Sequence, residues 1–541
     1  MKKLSTLVLL FIVANTLYSQ TYYKRILWLD TDAKRLINTK DGGWIIIGVG
    51  NQNGFDEVTY SDFYAAKFND KGKLQWANRY GIDGRHDEGL SVIEDKANGY
   101  LFSGFSTDAS DKRQGALMRV DSLGNKIWSK TFSGPTDFSL TSSVQTRDGG
   151  FIAGGNLTDG KHSRPVLIKL DAGGNVLKYI KINLSKNTIF RKIIMAHNGD
   201  LVVLMDDGEP DRNKKLEVMR ITQSGSIKWV TRFSGIHSDY GYDLIETKDK
   251  GFAITGGNSF IDEHSGGTEY LATTSKLDSA GNVKWYNCTN ADDVNSAGSV
   301  PIYGYSLLED KDGSLISCGS VYRSNRPRSI YLLKYGADGN YISSSYLPPL
   351  PNDVFRASDY GHGIIKIRDG YVLAVSINDA VQAGILKGDN NFSFCIAPIP
   401  LVPTFQSNVF VEDTVNVSLD KQTGISDTDN LNTTAEASEL LTVCKNSLAA
   451  TVPIESKTKP LSIDVYPNPA SNYITVTFNM ATTARTMIQV YDITGALRMQ
   501  LPVFATEGRN VKQLNISALQ SGSYKIKVLQ VEADAVQFFK Q

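Results

Sequence analysis

The sequence predicts an all-β protein: a seven-bladed β-propeller built from four-stranded blades, followed by a small C-terminal β-sandwich of Ig-like form. Three observations predict it. A unit of roughly 50 residues recurs seven times between residues 24 and 390. Each unit carries Gly turns that feed alternating apolar strands. Four of the six Trp occupy one position of that unit. Composition agrees, because 47 Gly in 541 residues with 10% aromatics suits hairpin-rich sheets and excludes a helical bundle. Lys+Arg and Asp+Glu both total 57, so the chain lacks the basic excess of a dedicated nucleic-acid binder, and no nucleic-acid partner is expected. An apolar content of 41% is too high for a mostly disordered chain.

The N-terminus reads Met1-Lys2-Lys3, then an apolar run from Leu7 to Val13, then Ser19-Gln20. A basic start, a short apolar core and a small residue near its end predict a secretory signal peptide over residues 1–20, cleaved after Ser19 or Gln20. The run is too short to anchor a bilayer, and no later stretch reaches ~18 apolar residues. An exported, soluble mature chain is expected.

The propeller is expected over residues 21–394. Its first landmark is a tight Gly turn, Asp-Gly or Asn-Gly in six units and Asp249-Lys250-Gly251 in the other, before Trp44, Tyr100, Phe151, Leu201, Phe252, Leu315 and Tyr371, a mean spacing of about 54–55 residues. Such pairs supply the positive φ of a tight hairpin. The second landmark is a Gly turn followed by Trp: Gly72 with Trp76, Gly124 with Trp128, Gly225 with Trp229 and Gly281 with Trp285. Lys178 and Ser343 replace that Trp in two units, which should pack differently. The third landmark opens the next unit, as in Asp87-Glu88-Gly89, Asp239-Tyr240-Gly241, Tyr303-Gly304-Tyr305 and Asp359-Tyr360-Gly361. Four antiparallel strands cannot bury both faces of their sheet alone; radial stacking buries them and leaves short edges. The repeated Trp is then inter-blade packing, each ring burying ~150–250 Å². The seventh unit ends near Lys387 without a Trp-bearing outer strand, while Arg25-Ile26-Leu27-Trp28-Leu29 has no hairpin of its own. Residues Ile26 to Leu29 are therefore expected to close the ring as the outer strand of the seventh blade.

Residues 395–460 change in character, with a stretch rich in Ser, Thr, Asn and Asp and a linker ending at Pro460. Four Cys in an oxidising compartment allow three pairings. Cys395–Cys444 is favoured, as a staple across this polar appendix, with Cys288–Cys318 as the second bridge. No metal site is expected, since Cys-x-x-Cys and His-paired spacings are missing.

Residues 461–541 alternate as short strands between Pro-Asn-Pro, Thr-Gly and Ser-Gly turns, the pattern of a small β-sandwich. The opening Tyr466-Pro467-Asn468-Pro469, the segment Tyr491-Asp492-Ile493-Thr494-Gly495 and Gly522-Ser523-Tyr524 resemble the type A C-terminal sorting domain of type IX secretion. That resemblance covers about the last 80 residues. It implies export through the periplasm to the outer-membrane surface or beyond, with the type IX translocon and its sorting machinery as partners. It also implies cleavage, then anchoring to surface lipopolysaccharide or release. The sorting signal would lie in Tyr466, Pro467, Asn468, Pro469, Gly495, Gly522 and Tyr524. The propeller resembles the passengers that precede such tails, which implies no chemistry.

Motifs of chemistry are sparse. No G-x-S-x-G, H-E-x-x-H or Walker sequence occurs, and no cofactor is expected. His86, His237 and His362 stand in or beside the segments that open successive units, near Asp87, Asp239 and Asp359. These six are the candidate ligand-binding residues, because such connections gather on one propeller face. The competing reading makes the Asp-x-Gly pattern a structural signature of the repeat. Two function classes remain. One is a secreted binding, adhesion or scaffold module for a glycan or protein; the other is a propeller hydrolase or lyase working in the central channel. A catalytic site should break repeat symmetry with clustered polar outliers, whereas Lys178 and Ser343 sit at packing positions. The balance favours binding over catalysis.

Overall fold

The architecture was read from a computed structural model. It describes residues 21–446 and 463–541 except 28–30, 52–59, 83, 185–186, 209–213, 236–237, 262–267, 293–298, 301, 324–325, 348–359, 378–381, 392–398, 401, 407–408, 413–417, 422–424, 429–431, 436–438, 467–469, 481–483, 493–495, 506–507 and 529–535. The described residues are strands and turns, without a helix. They divide into two compact units, Met1–Leu448 and Ala449–Gln541.

Among the described residues unit one holds seven antiparallel sheets, each built on four strands and widened by further strands to five, or in one sheet six. The inner strands of blades 1 to 7 are Thr31–Asn38, Asp87–Glu94, Asp137–Gln145, Thr188–Met195, Ser238–Glu246, Ile302–Glu309 and Tyr360–Ile367. Apolar clusters fill the gaps between neighbouring blades; one joins Ile45, Ile47 and Phe63 of blade 1 to Val92, Tyr100 and Phe102 of blade 2. Blade 7 packs back on blade 1 through Leu36, Ile46, Ile365 and Val372, and Ala33 N–H donates to Ser376 Oγ at 3.2 Å. The ring is closed.

The turns explain the repeat. Gly124, at φ 83°, ends a turn in which Asp121 Oδ1 accepts the N–H groups of Leu123 and Asn125, both at 2.9 Å. Trp76 of blade 1 lies over this turn in blade 2 and donates from Nε1 to Ser122 O at 2.9 Å. A Cβ on Gly124 would stand 3.1 Å from the Trp76 ring. Trp128 meets Gly174, Trp229 meets Gly281 and Trp285 meets Gly339 in the same way. The Trp and the glycine turn of the following unit are therefore one inter-blade lock. A second lock lies within blades: Lys67 bonds Asp41 at 2.8 Å, Arg119 Asp95 at 2.7 Å, Arg220 Asp200 at 2.9 Å and Lys387 Asp369 at 2.8 Å. The turn carboxylates thus also hold the cation of the third strand.

The clasp is present but lies further upstream than expected. Strand Thr21–Leu27, rather than residues 26–29, forms the fourth strand of blade 7, with Tyr22 to Arg25 opposite Lys387 to Gly384. Trp28 lies outside the described residues. The polar stretch after the ring is integrated rather than appended. Strands Ile399–Pro400, Val402–Gln406, Val409–Glu412, Ser418–Lys421, Ser426–Thr428, Asn432–Ala435 and Glu439–Asn446 add, in that order, to the outer strands of blades 6, 5, 4, 3, 2, 1 and 7. The chain winds back around its own propeller as a belt. Its last strand pairs antiparallel with the clasp, Thr21 opposite Asn446.

Cys288 and Cys318 do not form the expected bridge; both are buried free thiols. Cys318 belongs to the core between blades 6 and 7, with Sγ 3.6 Å from Gly361 O, whereas Cys288 sits on the fourth strand of blade 5. Burial raises the Cys288 thiol to about 12. Cys395 and the side chain of Cys444 lie outside the described residues.

Unit two is a pair of sheets. Asp464–Tyr466, Tyr473–Met480 and Gly508–Asn515 form one; Leu497–Ala505, Ala484–Asp492, Gly522–Val528 and Val536–Lys540 form the other. Between them lies a core of Ile474, Val476, Phe478, Ile488, Val490, Ile526 and Phe538. Tyr524 stacks on Phe538 and donates its hydroxyl to Gln520 O at 2.8 Å, so this residue of the expected signal is also a packing residue. Residues 467–469 and 495 of that signal lie outside the described set.

Candidate functional site: the central channel

Every inner strand slips register once, in its first half. A bulge inserts one residue, bends the strand and re-aims a side chain. The seven inserted residues are Lys34, Leu90, Thr141, Arg191, Tyr242, Tyr305 and His362. All seven line a cavity of about 180 Å³, together with Arg35, Ser91, Ser142 and Lys192 from the following positions. Since inner strands alone contribute, the cavity is the propeller's axial channel.

The residue before the inserted one is Gly in blades 2, 5, 6 and 7. A Cβ on Gly89 would meet Ile47 of blade 1 at 2.6 Å, and one on Gly241 would meet Leu216 of blade 4 at 2.6 Å. The glycine of the third landmark admits a neighbouring blade's side chain, and the channel residue follows it directly. In blades 2, 5 and 7 its position was thus readable as the residue after Asp-x-Gly, whereas blades 1, 3, 4 and 6 lack that motif.

Charge dominates the channel. Arg35 of blade 1 reaches Asp243 of blade 5 at 2.7 Å, and Lys192 of blade 4 bonds the same carboxylate. Asp243 is 1% exposed and its second oxygen accepts Leu307 N–H at 2.9 Å. Burial opposes ionisation of Asp243, but the two cations prevail and hold its carboxyl down at about 2. Burial, with Arg35 adding to it, lowers the Lys192 amine to about 8. This triad ties three blades across the axis. Arg191 gives Nε to Asp206 at 2.5 Å and lies over the Tyr242 ring at 5.4 Å. Lys34 bonds Asp32. His362 stacks on Tyr305 with centroids 5.8 Å apart and stands 3.5 Å from Asp32. Burial lowers its imidazole to about 4, so it is neutral at pH 7.

Of the six residues expected from sequence, His362 lines this channel. His86 stands elsewhere, with Nδ1 3.4 Å from Ser61 Oγ and its ring against Tyr60. Asp87 is buried at the start of its strand, where Oδ2 accepts Ile82 N–H at 2.8 Å. Asp239 accepts Asn258 Nδ2 at 2.7 Å and the Tyr286 hydroxyl at 2.8 Å. His237 and Asp359 lie outside the described residues. No group of three or more His, Cys, Asp or Glu able to hold a metal occurs among the described residues.

The family model described as "Secretion system C-terminal sorting domain" matches residues 464–539. No curated protein matches the chain. Among solved structures, a polysaccharide lyase of family PL25, an ulvan lyase bound to -[GlcA(1-4)Rha3S]-, is similar at 12% identity and a TM-score of 0.44, over 69% of this chain and 96% of its own. Sqt1 from Chaetomium thermophilum is similar at 9% identity and a TM-score of 0.34, over 67% and 97%. A glycosyl hydrolase from Bacteroides ovatus is similar at 9% identity and a TM-score of 0.28, over 69% and 89%. At these values the likenesses fix neither a reaction nor a substrate for this chain. The match over the C-terminal module does carry an assignment: residues 464–539 are a type IX secretion C-terminal sorting domain, and the β-propeller ahead of them is a passenger exported to the cell surface or beyond it.

Proposed function

We propose that the passenger is an extracellular binding module, an adhesion or scaffold propeller that takes its ligand at the mouth of the central channel. The carrying observation is the state of the channel carboxylates. Asp243 is committed to Arg35 and Lys192, and Asp206 to Arg191. Each carboxylate is engaged in fixing a cation. A general acid or base works with a pKa near the operating pH; Asp243 at about 2 is far from it, and Asp206, whose pKa burial raises, is paired with Arg191. The site is built to present donors and aromatic faces, which is recognition chemistry.

One observation favours the second reading, a secreted hydrolase or lyase. His362 is neutral at pH 7, is stacked on Tyr305 and lines the channel, so its imidazole can accept a proton, although burial, which lowers it to about 4, makes it a weak base. Screening the purified secreted chain on a glycan and matrix-protein array, beside a panel of hydrolase and lyase substrates, separates the two. Retention of a ligand without turnover is expected. Turnover abolished by His362→Gln would replace the binding reading with the enzymatic one.

A further inference from the structure

The channel cavity is unequal in its chemistry. Its lining includes four cationic side chains, Lys34, Arg35, Arg191 and Lys192, and no carboxylate. The carboxylates that answer them stand behind the lining and number three: Asp32, Asp206 and Asp243. Arg191 lines the cavity and gives Nε to Asp206, and a guanidinium carries four further N–H donors beyond that one. Ser91 of blade 2 and Thr141 of blade 3 add hydroxyls to the lining between the blades of Lys34 and Arg191. Tyr242 and Tyr305 also line the cavity and meet at 5.2 Å; Tyr305 is itself stacked on Tyr303 and His362, so Tyr242 is the aromatic side chain left beside the cations. The Arg35–Asp243–Lys192 tie crosses the channel, so a ligand enters from one side and stops there.

We infer that the channel mouth is a binding site for the acidic residue of a saccharide, its carboxylate or sulfate held by Lys34 and Arg191 and its ring beside Tyr242. The inference rests on the binding reading above and names its ligand class. A cavity with surplus positive charge and walls of low polarisability favours an anion far more than the same groups would in open solvent. Arg suits carboxylate and sulfate oxygens alike, and the apolar body of a tyrosine gives a sugar ring a surface to pack beside.

The test uses calorimetric titration of the full secreted chain with three probes: hyaluronan hexasaccharide for carboxylate, κ-carrageenan hexasaccharide for sulfate, and cellohexaose as the neutral control. Saturable binding of one or both acidic probes is expected, with none to cellohexaose. Whichever acidic probe binds identifies the group. Lys34→Gln should weaken that binding about tenfold, while Lys34→Arg retains it. Arg191→Lys keeps the partner of Asp206 and loses the fork, so a similar weakening is expected without loss of the fold; an unchanged unfolding midpoint checks this. Equal binding of cellohexaose, or parental affinity in both Lys34→Gln and Arg191→Lys, overturns the inference. If the array yields a ligand and neither acidic probe binds, the inference fails while the binding reading stands. If the array yields none, that reading fails as well.

Discussion

Asp243 is the residue on which the channel's charge balance turns. Arg35 and Lys192 reach it from two other blades, and it is 1% exposed. Removing one partner of a buried ion group leaves uncompensated charge and typically costs ~3–5 kcal/mol. Asp243→Asn should therefore lower the denaturant midpoint by a loss of that order with an unchanged m-value, and a variant as stable as the parent would show the tie to be idle. Asp87 behaves in the opposite sense. Burial raises its carboxyl to about 7, with Asp62 adding to the rise, and Oδ1 has no partner among the described residues. A raised folded pKa means the folded state binds the extra proton between about 4 and 7, so the contribution to stability is full below pH 4 and is lost as pH rises through 7. Asp87→Asn keeps the shape without the charge. It should raise the melting temperature at pH 8, by a stabilisation on the order of 3 kcal/mol, and leave it near the parent value at pH 4; equal gains at both pH values would contradict the assignment. These side chains also mark what the sequence withheld. His362 is the inserted residue of its strand and faces the channel, whereas Asp87 stands three positions before the inserted Leu90 of its own strand and is sealed in its blade, a distinction that the shared motif does not carry. The Arg35–Asp243 pair spans 208 residues, which no local pattern encodes.

At the scale of the element, the glycine turns and the Trp positions were legible because both are local. A positive φ restricts the residue, and a Trp over a turn needs that residue to lack a Cβ. Gly281, at φ 89°, sits 2.6 Å by its missing Cβ from the Trp229 ring, so the two form one unit. Trp229→Ala should cost ~3–5 kcal/mol as a large truncation. Gly281→Ala should cost ~2–3 kcal/mol in the parent, from φ strain and overlap together. In the Trp229→Ala background the overlap is gone and about 1 kcal/mol of strain remains. A double-mutant cycle reads the difference as coupling, and strict additivity would show that the ring and the turn do not interlock. Blades 3 and 6, with Lys178 and Ser343 in place of Trp, lack this lock. The belt was illegible for the same physical reason that the turns were clear. Its strands are short, between two and eight residues, and they are held by main-chain hydrogen bonds to edges whose location depends on the finished ring. Polar composition suits an edge strand as well as it suits a loop, so residues 395–460 read as an appendix.

The whole molecule is a closed passenger with a separate address. Removing residues 461–541 should leave the propeller folded and retained in the periplasm, since the sorting domain forms its own compact unit; surface display of the truncated chain, followed by cell fractionation, would contradict this. The belt sets an order of events in folding. It covers the outer strands of all seven blades, and its last strand, Glu439–Asn446, pairs with the clasp Thr21–Leu27, the strand that closes blade 7. The belt's final seat exists only once the N-terminal strand is in place, so contacts across more than 400 residues form late. Uncovered outer strands present rows of unpaired N–H and C=O groups, which recruit further strands from other molecules. Deleting residues 392–446, with the sorting domain joined directly to the ring, should therefore retain β-rich far-ultraviolet dichroism while converting a monodisperse chain into growing assemblies by light scattering. The growth should accelerate with concentration, as edge-to-edge pairing requires. A deletion variant that stays monomeric and unfolds at the parental midpoint would show that the belt protects no edge and adds nothing to the ring.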